Sequence, residues 1–382
     1  MKPLSAVDAI APAFSRMRLL LSPPDPLTGQ PGPFRFWFFV KMMLVGALTS
    51  VSLCSAGISI STQLMVLAAI GAGAHSRLAH AAPSLFGSAG TAFLIMVSLI
   101  LGFVLLAIVV LVGWLWSRLR FTLFDLVIYR HGRVGVGWSR YPAQAWRYLG
   151  MTILTGLVLL ILLGATAGPM ILHLVVTLRN QSPQQINTDP NLVFRTILPL
   201  YAVVLPFGVF VALVDAVLQD FLLPPMAIED APIERSIGRF LRLLREHFGQ
   251  TVLYFILRLV IVMGLALAGG LAAFLVTAVV AGFGVGGGFL VYHGIAHAGA
   301  AGMVVFVLYC IVVGLAVLAL SLVAMVTVNG IIGIFKQCFA AYFYGSHYPE
   351  LGDRLEPLPA GPAVPSAPQM PPTGAAPDTP PA

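Results

Sequence analysis

Six long apolar runs divide this chain, and its arginines and lysines fall almost entirely in alternate gaps between them. That pattern demands a helical bundle crossing a bilayer an even number of times, with both ends on one side. The runs cover residues 38–60, 91–116, 151–176, 196–223, 251–282 and 301–335. A hydrocarbon core about 30 Å thick needs roughly 20 helical residues at about 1.5 Å each, so every run is long enough. The last two exceed one crossing, which calls for tilt, a break or an interfacial extension. With 59% apolar and only 9% charged residues, a water-soluble globule would lack a polar surface.

Orientation follows from the gaps, because positive charge near span ends stays on the cytoplasmic side. One set holds Lys2, Arg16, Arg18, Arg35, Lys41, then Arg118, Arg120, Arg130, Arg133, Arg140, Arg147, then Arg235, Arg239, Arg242, Arg245, and finally Lys336 and Arg354; the other holds Arg77, Arg179 and Arg195. The net charge of +7 therefore describes a basic membrane-facing side whose expected counter-charge is anionic lipid headgroup, and no nucleic-acid partner is expected. Both termini are placed in the cytoplasm. No basic segment leads directly into an apolar core and cleavage site, so no cleaved signal peptide is expected. Cys54, Cys310 and Cys338 lie in or beside apolar runs and read as buried thiols.

Residues 1–33 form a cytoplasmic segment in which a short amphipathic helix, about residues 6–21 and broken by Pro12, lies on the inner surface. Residues 34–350 form the membrane domain, entered through Phe34, Phe36, Trp37, Phe38 and Phe39 with Arg35 and Lys41, the mix favoured at a headgroup boundary. Residues 351–382 end in a Pro- and Ala-rich tail expected to be disordered, a possible extended docking segment for a partner protein.

A repeat spaced by about 100 residues is visible when FTLFDLVIYRHGRVGVGWSRYPAQAWRYLGMTIL is laid on FLLPPMAIEDAPIERSIGRFLRLLREHFGQTVL. Arg140 and Tyr141 fall on Arg239 and Phe240, Gly150 on Gly249, and Thr152 to Leu154 on Thr251 to Leu253. Each copy, about 91–177 and 196–282, reads as a span entering the cytoplasm, an interfacial amphipathic helix and a returning span, giving a parallel tandem pair. In the second copy Ile233, Ile237, Phe240, Leu241, Leu244 and Phe248 recur at three and four residues, opposite Arg235, Arg239, Arg242 and Glu246. Glu229, Asp230, Glu234 and Pro232 mark its start and Gly249 its end. The first copy sets Trp138, Tyr141, Ala145 and Tyr148 against Arg140, Gln144 and Arg147. The expected fold is thus an all-α integral membrane protein of six transmembrane helices and two cytoplasmic interfacial helices.

The segments SRLRFTLFDLVIYR, W-x-R-Y from Trp138, DFLLPPM after Asp220, RFLRLLREHFGQTVLYF and FKQCFAAYFYGSHYPE resemble a bacterial multi-pass family of unknown function, itself similar to the membrane domain attached to some glycerophosphodiester phosphodiesterases. The resemblance covers roughly residues 34–353. It implies a helical domain of the bacterial inner membrane and no established activity, and no segment is long and polar enough for the soluble hydrolase barrel.

Ionisable residues inside spans are costly and are the first candidates for function. Asp215 lies about eight residues before the end of the fourth span and Arg258 about eight after the fifth begins, both roughly 12 Å deep, so they are expected to pair across antiparallel helices. Asp125 and Asp220, at matching ends of the second and fourth spans, are expected to anchor the interfacial helices by accepting hydrogen bonds. Arg140, Arg147, Arg235, Arg239, Arg242 and Arg245 are the expected headgroup ligands. His75 and His80 sit in the first external loop, and His293 and His297 make an HxxxH pair with no companion carboxylate or cysteine, so neither metal nor other cofactor is expected. GFGVGGG lacks the context of a phosphate loop and reads as close packing or a bend. Three functions fit: a noncatalytic protein organising lipids or partners through its basic face, a transporter or channel using a polar site between the repeats, and a lipid-headgroup enzyme.

Overall fold

The computed structural model describes residues 5–22, 36–50, 88–129, 134–180, 190–295 and 299–356, and every described element is helical. In chain order these are α1 (Ile10–Leu21), α2 (Phe36–Ser50), α3 (Ser88–Tyr129), α4 (Val134–Arg140), α5 (Pro142–Asn180), α6 (Pro190–Val217), a π-helical turn (Leu218–Leu222), α7 (Leu223–Glu229), α8 (Ile233–Glu246), α9 (Phe248–Ile295), α10 (Gly299–His347) and α11 (Pro349–Leu355). Five stretches are long and apolar enough to cross a membrane, Leu99–Tyr129, Pro142–His173, Tyr201–Glu229, Phe248–Gly294 and Ala301–His347, and α2 is a shorter apolar helix. The remainder of the first apolar run, Cys54, His75, His80, Arg130, Arg133, His297 and the tail beyond residue 356 lie outside the described residues.

Burial is concentrated at one end of the bundle. Phe121, Leu123, Phe124 and Val127 of α3, Tyr141 at the head of α5, Ala145 and Tyr148 within it, Phe221 and Leu222 of the π turn, and Phe339 and Phe343 of α10 pack into one core. Farther along the helices the apolar side chains face outward, as Leu99, Phe103, Leu160, Leu205, Leu267 and Leu322 do. Exposed leucines in that density suit hydrocarbon, not water, as the surrounding medium.

Several boundaries differ from the sequence expectation. α3 runs on to Tyr129 because Arg118 and Arg120 are carried inside the helix, Arg120 fully buried, instead of opening a loop. α1 begins at Ile10, so Pro12 sits in its first turn, where a missing N–H costs nothing. It docks on α10 with Ala9, Ala13, Arg16, Met17 and Leu20 buried, leaving Val7, Phe14 and Leu19 outward. α9 and α10, at 48 and 49 residues, are unbroken, α9 running straight through GFGVGGG, and each spans about 70 Å. Here glycine serves packing: a methyl group at Gly284 or Gly287 would collide with Val313 or Tyr309 of α10.

The tightest crossing joins α2 to α10. An added Cβ at Gly46 would stand 2.5 Å from the Gly330 carbonyl oxygen, and one at Gly330 would stand 2.6 Å from that of Met43. Backbone meets backbone there, which only glycine permits.

α8 emerges as the periodicity requires. Pro232 is its extended N-cap, Glu234 lies in the first turn, and Arg245 in the last. The sharp corner before it is made by Asp230, the one non-glycine residue with positive φ (51°) among the described residues, which an aspartate tolerates.

Candidate functional site

The core end of the bundle contains a layer of buried charge. Arg120, from α3, donates to both carboxylate oxygens of Asp215 in α6 at 2.9 and 3.1 Å, and to the Tyr148 hydroxyl of α5 at 2.7 Å. Its guanidinium also lies 3.6 Å from the ring centre of Trp116, one helical turn earlier. On the next helix pair Arg258 of α9 forms an ion pair with Asp220, whose Oδ2 also accepts from Tyr254 at 2.7 Å. Gln219 donates to Gln337 of α10 at 3.2 Å. Lys336 shares the electrostatic field of Arg120, Asp215, Asp220 and Arg258.

The expected Asp215–Arg258 pair is therefore not formed. Each residue takes a different partner, Asp215 going to Arg120 and Arg258 to Asp220. Depth alone is a poor guide here, since equal depth on antiparallel helices leaves the angle about each axis free. The π turn, which contains both Gln219 and Asp220, rephases the helix just past Asp215. Asp220 does more than the expected anchoring: its Oδ2 is paired with Arg258 and Tyr254 inside the bundle.

Asp125 lies at the matching place on α3, with its Oδ1 accepting from Tyr141 at 2.8 Å and from Arg140 at 3.4 Å. α4 approaches it through Gly137, where a Cβ would stand 3.2 Å from Asp125 Oδ2. Burial and the bond to Asp125 raise the Tyr141 phenol well above its ordinary pKa, so it is a permanent donor.

The six arginines expected at headgroups divide into two groups. Arg140 is held by Asp125 and stacks over Tyr129; Arg147 pairs with Asp230 at 3.0 Å; Arg239 grips Glu229 through two 2.7 Å bonds and donates to Tyr348 at 3.0 Å. The bond from Glu229 raises the Arg239 pKa, so this clamp holds through the physiological range. Arg235, Arg242 and Arg245 are exposed and have no carboxylate partner among the described residues. Arg242 and Arg245 line a shallow groove on α8 together with Gly238, Leu241 and Glu246. Around α8, Ser236 and Leu243 face the core, Ile237 and Leu241 form an exposed apolar stripe, and these three arginines form the next stripe.

Arg16, read in the sequence only as a cytoplasmic charge, is 1% exposed. It donates to the Val127 carbonyl at 2.8 and 3.0 Å, to Ile128 at 2.8 Å and to Leu355 at 3.4 Å, so one guanidinium caps the C-terminal ends of α3 and α11. His293 packs on Phe289 and Tyr292. Among the described residues no group of three or more His, Cys, Asp or Glu side chains could hold a metal ion.

The buried roles of Arg120, Tyr148, Tyr254 and Gln337 were not expected from the sequence. A usable signal was present in WLWSRLR, where Trp114 and Trp116 each precede an arginine by four residues, the spacing of a stacked pair on one helix face.

No curated protein and no solved structure matches the chain. Over residues 4–354, nearly the whole of this helical bundle and its buried ionic layer, the chain belongs to a family of unknown function (DUF7544).

Proposed function

We propose that this is a noncatalytic protein of the bacterial inner membrane that organises anionic lipids, or partners recruited to them, through the basic amphipathic face of α8. The observation that carries this reading is the division of labour among the arginines. Arg140, Arg147 and Arg239 are spent on internal pairs, whereas Arg235, Arg242 and Arg245 stand exposed beside the apolar stripe of Ile237 and Leu241. A helix with such stripes settles at the acyl–headgroup boundary with its cations among phosphates.

The topology proposed with it has six crossings and both termini in the cytoplasm. Five long helices and α2, whose apolar run continues in the sequence to residue 60, support the number. A tandem parallel repeat is supported by local packing: Phe121 stacks on Tyr141 in one half, Phe221 packs on Phe240 in the other, and Thr152 and Thr251 each bond back four residues.

Reconstitution of the full chain in vesicles of mixed phosphatidylglycerol and phosphatidylcholine, followed by excision of the protein with its surrounding lipid, tests this reading. The wild-type protein is expected to carry an excess of phosphatidylglycerol. Because each boundary arginine contributes about 1 kcal/mol, R235Q/R242Q/R245Q should remove most of that excess. An unchanged lipid ratio in the triple variant would overturn the assignment.

A second reading, a transporter of small solutes or lipids, draws on the buried layer, where Asp220 Oδ1 and Gln219 Oε1 have no hydrogen-bond partner beside the π turn. π turns of this kind recur at functional sites. Solute flux into proteoliposomes abolished by D220N but kept by R242Q would favour it. The lipid-headgroup enzyme is supported only by the likeness to the phosphodiesterase-linked membrane domain.

A further inference from the structure

Two arginines two residues apart on α3, and so on opposite faces of the helix, each lie over the tryptophan four residues earlier and end in opposite circumstances. Arg120 lies on Trp116 and faces inward to Asp215 and Tyr148. Arg118 lies 4.8 Å from the ring centre of Trp114 and 5.0 Å from that of Trp138 of α4, and is half-buried. Trp146 of α5 closes the group, 6.0 Å from Trp114, so three helices supply its walls. Among the described residues no carboxylate answers the charge. Both Arg118 Nε and Trp114 Nε1 are buried without an acceptor among the described residues.

Two neighbouring donors, one of them cationic, both lacking an acceptor, describe a seat for an anionic oxygen. A guanidinium held over two indoles offers a flat fork of N–H donors, the presentation suited to a tetrahedral oxyanion. The seat lies where the apolar stretch ending at Trp116 gives way to charged sequence, and Trp138 and Trp146 add the aromatic belt typical of the headgroup level. We propose that Arg118, Trp114 and Trp138 form a binding site for the phosphate of one membrane phospholipid, its acyl chains lying along the exposed apolar surface of α3 and α5.

This site rests on the lipid-organising reading and extends it, because a stacked guanidinium bonds the phosphate that all phospholipids share, whereas the arginines of α8 sense net headgroup charge. The site should therefore accept phosphatidylcholine as well as phosphatidylglycerol.

The test is native mass spectrometry of the full chain in detergent micelles titrated separately with each lipid. The wild-type protein is expected to retain one phospholipid of either kind. Loss of a charge-assisted bond should weaken that retention roughly tenfold in R118A. R118K keeps the charge but loses the flat fork; it should also weaken retention and covers the case in which R118A does not fold. Millimolar inorganic phosphate should fail to displace the lipid. Undiminished retention in both variants overturns the site, and displacement by inorganic phosphate overturns its assignment to lipid. The R235Q/R242Q/R245Q protein separates the two readings: it should lose phosphatidylglycerol preference while keeping the single lipid at Arg118.

Discussion

The contact between α2 and α10 gives the most quantitative prediction. In G330A the new methyl group would stand 2.6 Å from the Met43 carbonyl oxygen and 2.8 Å from its Cα. Neither atom belongs to a side chain, so no rotamer change relieves the clash. Ordinary contact begins at 3.4 Å, so the helices must part by about 0.8 Å there. A gap of that size forfeits a quarter to a half of each dispersion contact it opens. Taking the crossing to hold as many atom pairs as one buried leucine, roughly 50 at about 0.15 kcal/mol each, the loss of a third is about 2.5 kcal/mol. That agrees with the 1–3 kcal/mol typical of an overpacked core. Unfolding in mixed micelles of increasing denaturing detergent would measure it. G46A should cost a similar amount, and the double variant should cost less than the sum, because the helices part only once. G238A on α8, where an added Cβ meets nothing within 4 Å, is the control and should be neutral or stabilising by up to about 1 kcal/mol. If G330A unfolds within 0.5 kcal/mol of wild type, the close crossing is not as described.

Other consequences follow from the buried polar groups. D215N leaves the fully buried Arg120 guanidinium without its counter-charge and should cost about 3–5 kcal/mol in the same unfolding assay, whereas the apolar pair R120M/D215L should recover most of it. R16M removes the donor that caps α3 and α11 and should destabilise by about 2 kcal/mol, with hydrogen exchange rising at the C-terminal turns of those two helices and not across α9.

The long apolar helices were legible because apolar length is a one-dimensional property, and α8 was legible because its stripes repeat at a period that needs no partner. The pairing of the buried charges was not. Asp215 and Arg258 sit at equal depth, yet their partners are chosen by rotation about the helix axis, and the π turn at Leu218–Leu222 alters that rotation with no proline or glycine inside it to announce the change. The inward turn of Arg120 was hidden for a related reason. Surrounded by other basic residues at the end of an apolar run, it read as a boundary charge, although the Trp116 spacing marked it for stacking. Gly46, Gly330 and Gly333 belong to sequence segments unremarkable in themselves, since a close crossing is defined only when both helices are seen together.

The most direct test of the central claim, that α8 lies in the headgroup plane of an anionic membrane, is electron paramagnetic resonance on the full chain in phosphatidylglycerol-containing vesicles. Single nitroxides would be placed along α8 after Cys54, Cys310 and Cys338 are replaced. Collisions with lipid-soluble oxygen should peak at positions 237 and 241, and collisions with an aqueous nickel complex should peak at positions 235 and 242. Uniform aqueous exposure along the helix would contradict the claim.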